Sequence, residues 1–398
     1  MDTTPAPAPA QASDRALAPD LARGVMLALI AVANVMIYLY DRPYGLRQHI
    51  VEDGTLDRVV TGVLVTVVDA RAYPLFAALF GYGLARIAEN QRARGLDDAA
   101  ARRVVRRRSW FLLAFGFFHA TLAFSGDVLG WYGLLGLVLA AHLGAGDRAL
   151  LRAAAVWLVL ASAVQGLVYS DPAVRNQRTY LWSFAIDHPG EAAAFRLLEW
   201  VMTPFGLLAV VSPMLVGIWA GRHRILEQPN LHASLLRRTA VVGIGAGALG
   251  GVGMALATVH VWVPPFPVVA LASWVHIASG VLSGLGIAAL IALWAARLES
   301  RGAVSWGIRA LRATGERSLS CYLAQTVIFA ALLPAWSLGW GAALGTAGAA
   351  LLALGTWALT VAGADALARA GRPGPAEALL RRLTYRPSRR APARAIIG

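Results

Sequence analysis

Two ionisable residues stand inside an apolar stretch. In "SWFLLAFGFFHATLAFSGDVLGWYGLLGLVLAAHLGAG" (109–146), His119 lies eleven residues beyond Arg108 and Asp127 follows eight residues later. At 1.5 Å per residue His119 is roughly 16 Å into the run, about half of a ~30 Å hydrocarbon core. An imidazole at that depth must face protein or a water-filled cavity, and intramembrane ionisable groups mark function by default. Its chemistry would be that of a general base or an acyl carrier. The structural alternative is a hydrogen-bonded packing histidine. Asp127 is about 12 Å further along a straight helix, too far to touch His119 within it. Either Gly126 breaks the helix and turns the chain back, or the two groups mark the depth and the mouth of one cavity.

The elements that must hold these groups are membrane helices. Of 398 residues, 58% are hydrophobic and 15% charged, more apolar surface than one soluble core could bury. Spanning-length runs lie near 22–40, 70–88, 109–125, 128–146, 150–170, 198–220, 238–262, 267–296, 318–337 and 342–368. The expected fold is therefore all-α, a polytopic integral membrane bundle of about ten transmembrane helices. The net charge of +14 is not a nucleic-acid signal, because the arginines cluster between apolar runs. They fill every second loop: 86–108, 147–152, 222–238, 297–317 and the tail from Arg369. The positive-inside rule then places both termini in the cytoplasm. The opposite loops are short or of mixed charge, and the longest of them, 171–197 with Tyr180 and Trp182, could cap an outward-facing cavity.

Residues 1–18, rich in Pro, Ala and Thr, read as a disordered tail rather than a signal peptide, and 387–398 as a basic tail. A single transmembrane domain is expected over 19–386. "TLDRVVTGVLVTVVDA" (55–70) is too short to cross and charged at both ends, so it reads as an interfacial or re-entrant helix. Asp69 and Arg71 then fall at the outer end of the second span. The lone Cys321 excludes an intramolecular disulfide, and no spacing suggests a metal site.

Other motifs read as packing. "GAGALG" (245–250) lacks the strand, amphipathic helix and acidic residue of a dinucleotide site, and Gly243, Gly247 and Gly251 repeat at the spacing that lets membrane helices approach. "HIASG" (276–280) puts His276 and Ser279 three apart without an orienting carboxylate nearby in sequence, a weak hydrolase signal. "DLARGVMLALIAVAN" opens with Asp20 and Arg23 on one helix face and reaches Asn34 inside the span; an interfacial anchor with a structural hydrogen bond explains it equally well.

These residues resemble the YeiB-like bacterial membrane proteins, the family of domain of unknown function 418. Asp20, Arg23, Gly24 and Asn34 resemble its Asp-x-x-Arg-Gly…Asn start, and Phe76, Leu79, Phe80, Gly81 and Gly83 its Phe-x-x-Leu-Phe-Gly-x-Gly segment. Gly116, His119, Gly126, Asp127, Leu129, Tyr132 and Gly133 resemble its Gly-x-x-His…Gly-Asp…Tyr-Gly segment. "GERSLSCYLAQ" (315–325) and "GPAEALLRRLTY" (374–385) are similar to its C-terminal pair. Cys321 stands where the family usually has Asn, and Ala378 and Leu380 where it has aromatics, which weakens a polar role at 321 and an interfacial anchor at the C-terminus.

More distantly the family is similar to transmembrane acyltransferases, which move an acyl group from cytoplasmic acyl-CoA to an acceptor across the membrane. That resemblance implies acyl-CoA as donor, with no resident cofactor identified, and a small molecule or glycan as acceptor. It implies His119 as base or acyl carrier, Asp127 at the acceptor, Arg23 at the donor mouth, and Asp20, Asn34 and Tyr132 as ligand-binding residues. The location implied is the bacterial cytoplasmic membrane, multi-pass, with the bilayer as partner and no nucleic acid. A second reading is a secondary transporter, with His119 in a proton relay and the Gly/Pro-interrupted spans 198–220 and 238–262 as broken helices. A third, a non-catalytic scaffold or sensor, needs none of these buried polar groups. A tunnel from the arginine-rich face past His119 to Asp127 favours acyl transfer, and a closed midplane pocket bounded by broken helices favours transport.

Overall fold

The structure, a computed structural model, describes residues 16–170, 181–302 and 305–385. Most of the expected N-terminal tail, the C-terminal tail 387–398 and the loop residues 171–180, with Tyr180, lie outside the described residues. Leu17 and Ala18 are already helical and buried, so the expected tail boundary at 18 falls two residues late.

The helices in chain order are α1 (Leu17–Val35), α2 (Thr55–Val67), α3 (Ala72–Ala93), α4 (Asp98–Leu122) and α5 (Val128–Leu139). There follow α6 (Asp147–Val168), α7 (Pro189–Gly206), α8 (Val211–Arg222), α9 (Ala233–Thr258) and α10 (Phe266–Ser300). Last come α11 (Trp306–Glu316), α12 (Ser318–Leu332), α13 (Thr346–Arg369) and α14 (Pro375–Thr384). The described residues contain no strand, only an isolated bridge between Tyr44 and Ile50. All-helical architecture is what a bilayer demands, since backbone groups in hydrocarbon can be satisfied only internally.

Among the described residues six elements are long and apolar enough to cross a membrane: Leu17–Tyr38, Thr55–Ala93, Asp147–Val168, Ala233–Thr258, Phe266–Ser300 and Thr346–Arg369. A seventh results if α7 and α8, bent by 53°, form one span; Val128–His142 and Ser318–Leu332 are shorter apolar helices. Every expected run falls on one of these or on α4, whose first turns carry arginines. Large apolar side chains such as Val241, Leu249, Leu271, Leu351 and Leu359 are exposed on the outside, while Asp20, Arg71, His119, Asp127 and His276 are buried. That distribution suits a solvent of lipid.

Two expectations are refined. The segment 55–70, expected as an interfacial or re-entrant helix, is α2, which leads through the turn at 68–71 into α3; together they form one 39-residue apolar element, and α2 lies against the second half of α9. Asp69 and Arg71 sit at the break between α2 and α3, about 18 Å from Asp57 at twelve residues' rise. Their charges looked terminal in sequence because the groups that balance them come from elsewhere in the chain.

The second concerns the broken helices. The segment 198–220 is interrupted at Leu207, but α9 runs unbroken from Ala233 to Thr258. Its glycines serve close approach instead: a side chain at Gly243 would strike the Leu282 carbonyl and Gly286, and one at Gly247 would strike Ser283.

Candidate functional site

Helix α4 ends at Leu122, and Asp127 opens α5 as its N-cap, accepting from the backbone N–H of Leu129 (3.1 Å) and Gly130 (2.7 Å). The short turn between them folds the chain back. Gly116 makes this possible, because any side chain there would collide with Gly130 and the Asp127 carboxylate. The hairpin brings Asp127 Oδ1 to 2.7 Å from His119 Nδ1. Of the two arrangements open in the sequence, the structure adopts the helix break at the turn.

A carboxylate only accepts, so Nδ1 carries the hydrogen and Nε2 of a neutral His119 is left as the lone-pair nitrogen. Among the described residues that Nε2 is buried without a hydrogen-bond partner, and the ring of the buried Tyr322 packs 5.1 Å from the imidazole. Phe124 closes the other side at 6.2 Å. A packing histidine ordinarily has both nitrogens satisfied. Here one nitrogen is pinned and oriented, and no group among the described residues bonds the other.

Above the turn, the buried Glu199 of α7 accepts from Ser125 Oγ (2.5 Å), Ser183 Oγ (2.6 Å) and Ser183 N (2.8 Å), tying the 181–185 segment over the hairpin. Gly126, the neighbour of Asp127, lines a cavity of about 180 Å³ whose wall also includes Arg47, His49, Asp69, Tyr73 and Leu181. The cavity lies where helices stop: the end of α1 at Met36 and Ile37, the α2/α3 break at Asp69 and Ala70, and the α7/α8 bend at Leu207. Gln165 lines it too and bridges the bend, donating to Gly206 O (2.6 Å) and accepting from Ala209 N (3.0 Å). His119 and Arg23 are not among the residues that line this cavity.

Beside the cavity is a charged cluster that sequence reading missed. Arg47 grips Asp69 with two nitrogens, at 2.5 and 3.1 Å, and lies over the Tyr169 ring at 5.0 Å. His49 and His276 approach the same carboxylate at 3.6 and 3.5 Å. Arg71, fully buried, donates to the carbonyls of Asp69 (2.6 Å) and Gly247 (2.7 Å) and meets the His276 ring. Ser279 donates to the backbone carbonyl of His276, so these two are no nucleophile and base. Arg47, Gln48 and Ala70, all in the cavity wall, hold left-handed φ of 55°, 61° and 59°. Such backbone persists only where surrounding structure enforces it, and it concentrates at functional sites. The available signal was the charge density of the 42–53 loop and the "DAR" interruption at 69–71.

The remaining expected site residues fall into two groups. Asn34 accepts from the Tyr73 hydroxyl (2.8 Å), and Tyr132 donates to the Tyr73 carbonyl (3.0 Å), so both meet at a cavity-lining residue. Asp20 and Arg23 pair with each other at 3.0 Å at the arginine-rich end, where Gly315 of α11 packs on the Asp20 backbone. The two C-terminal motifs also join: Glu377 caps α12 by accepting from Leu319 N (2.7 Å), Ser320 N (3.1 Å) and Ser320 Oγ (2.5 Å). Leu380 is buried and Cys321 points to the Thr360 carbonyl, so neither position is free for an interfacial or polar role. Among the described residues no cluster of three metal-ligating side chains occurs.

Residues 220–387 match the family described as "Protein of unknown function (DUF418)", in agreement with the resemblance drawn from the sequence. The match covers the C-terminal motif pair and leaves His119 and Asp127 outside it. No curated protein matches the chain.

Proposed function

We propose, taking the match of residues 220–387 to the DUF418 family as the premise, that this helical protein is multi-pass and transfers an acyl group within a bacterial cytoplasmic membrane. Both termini and the arginine-rich loops face the cytoplasm in this reading, and the ten apolar segments act as about ten spans, the short ones completed by irregular backbone buried in the bundle.

The observation that carries the proposal is the His119–Asp127 pair, with Nδ1 fixed at 2.7 Å and Nε2 buried without a partner. Asp127 holds the tautomer, and Nε2 takes the proton from an acceptor hydroxyl or amine as that group attacks the donor thioester carbonyl. The C–S bond breaks, and the departing thiolate receives the proton from His119. Tyr322 stands beside the imidazole, placed to donate to the developing oxyanion. In this reading the acceptor reaches His119 Nε2 by displacing the side chains that cover it, and Arg23 contributes to the donor mouth with acyl-CoA as the donor substrate.

The test is label transfer from radiolabelled acetyl-CoA in sealed vesicles holding wild type or His119→Gln at matched expression and thermal stability. An amide keeps size and hydrogen bonding but does not titrate near neutral pH, so the rate should fall by about 10²–10⁴. A folded His119→Gln variant with near-wild-type transfer returns His119 to a packing role.

A second reading, transport of a small solute, draws on the cavity enclosed by helix breaks and flanked by Arg47, His49 and Asp69. Solute uptake without label transfer in the same vesicles would favour it.

A further inference from the structure

At the arginine-rich end, away from the cavity and from His119, a groove of about 420 Å³ opens between α3, α8, α9 and α10. Its walls are apolar, among them Leu79, Val216, Ile225, Leu235 and Leu285, and the polar side chains it meets are Tyr82, Thr239 and Arg238. It closes where α9 and α10 touch at Gly243 and Gly286 and widens toward the arginines, its floor formed by small residues such as Ala288 and Ala289. Leu235, Val242 and Leu282 are exposed along it, so it opens sideways into the apolar surroundings of the bundle. From Leu235 to Gly243 is eight residues, about 12 Å of helix, close to half of a ~30 Å hydrocarbon core. The groove has the depth of one leaflet.

Its mouth is cationic. Arg238 and its neighbour Arg237 are exposed, and neither has an ion-pair partner among the described residues. Glu227, in the adjoining turn, is already bonded by Arg86 (2.6 Å) and Arg224 (2.9 Å). In a bilayer a sideways apolar groove of this depth is filled by an acyl chain, and the group at the level of Arg238 is then the phosphate. A guanidinium there favours a headgroup with net negative charge.

We infer that this groove is a binding site for an anionic phospholipid of the arginine-side leaflet, one acyl chain between α9 and α10 and its phosphate on Arg238. The site depends on the chain residing in a membrane and not on the acyl-transfer reading. Failure of one leaves the other untouched.

The test is native mass spectrometry of the full chain, purified in detergent and offered phosphatidylglycerol and phosphatidylcholine of identical chains. Wild type should retain phosphatidylglycerol preferentially. Arg238→Gln, at an exposed position, should weaken that preference by about fivefold, and with Arg237→Gln by roughly thirtyfold. Thr239→Phe, which fills the groove, should release both lipids while the thermal midpoint holds. Equal retention of the two lipids, or a preference unchanged in Arg238→Gln, overturns the site. Displacement by millimolar inorganic phosphate also overturns it, by showing a soluble-anion site, as does delipidation to a dimer that occupies the groove.

Discussion

Asp127 serves His119 and helix α5 with one carboxylate: Oδ1 meets His119 Nδ1 at 2.7 Å and Leu129 N at 3.1 Å, while Oδ2 takes Gly130 N at 2.7 Å. The two duties are separable. Asp127→Asn keeps Oδ1 as an uncharged acceptor for His119 but sets its NH2 against the Gly130 N–H, so it should lose about 1 kcal/mol while acyl transfer falls. Asp127→Ala should lose about 1–2 kcal/mol and activity together. Thermal unfolding beside the transfer assay checks this, and unchanged activity in the Asn variant removes the orienting role.

The Arg47–Asp69 pair should be costly to break singly. Arg47→Met leaves a partly exposed carboxylate, still flanked by His49 and His276, short of its bidentate partner and is expected to lose about 1–3 kcal/mol, whereas Arg47→Met with Asp69→Leu should recover most of it. Detergent unfolding curves of wild type, both singles and the double variant measure the coupling. A single variant as stable as wild type would make the pair incidental.

Glu377 holds the C-terminal helix to the start of α12 through Leu319, Ser320 N and Ser320 Oγ. Glu377→Ala should cost about 1–2 kcal/mol and expose α14 to protease, with cleavage between Arg372 and Arg382; Ser320→Ala should do the same more mildly. Limited proteolysis in intact vesicles reads this directly, and a resistant Glu377→Ala variant would mean α14 is held by packing alone.

Orientation is open to cysteine labelling, because the sole native thiol, Cys321, is buried. Leu231→Cys, in the arginine-rich loop, should react with an impermeant maleimide only after permeabilisation, and Val263→Cys should react in intact cells; both positions are exposed. The reverse pattern inverts the proposed topology.

The sequence by itself determined the helical class and the apolar segments that suit a bilayer. Apolar runs of spanning length have one economical backbone in lipid, and arginine clusters mark one face, so both are readable from local composition. Asp20 and Arg23 were legible for the same reason: three residues on a helix share a face. The stripe at Gly243, Gly247 and Gly251 announced close packing by its spacing, and the structure uses the first two against α10 while Gly251 lies against Thr66 and Arg71.

Only the tertiary structure decided what the charged groups touch. Whether His119 and Asp127 lie 12 Å apart or in contact depends on where α4 stops, which the Gly116–Gly130 approach fixes. Arg47, Asp69 and His276 come from three parts of the chain, and no periodicity links them. Asp69 looked like the end of a span because a charge at the edge of an apolar run normally seeks water. Its compensating guanidinium is supplied by a loop, so the carboxylate sits partly buried at the cavity wall. Local pattern follows from each residue's preference for lipid or water, whereas the pairing of buried charges follows from which segments the fold places face to face.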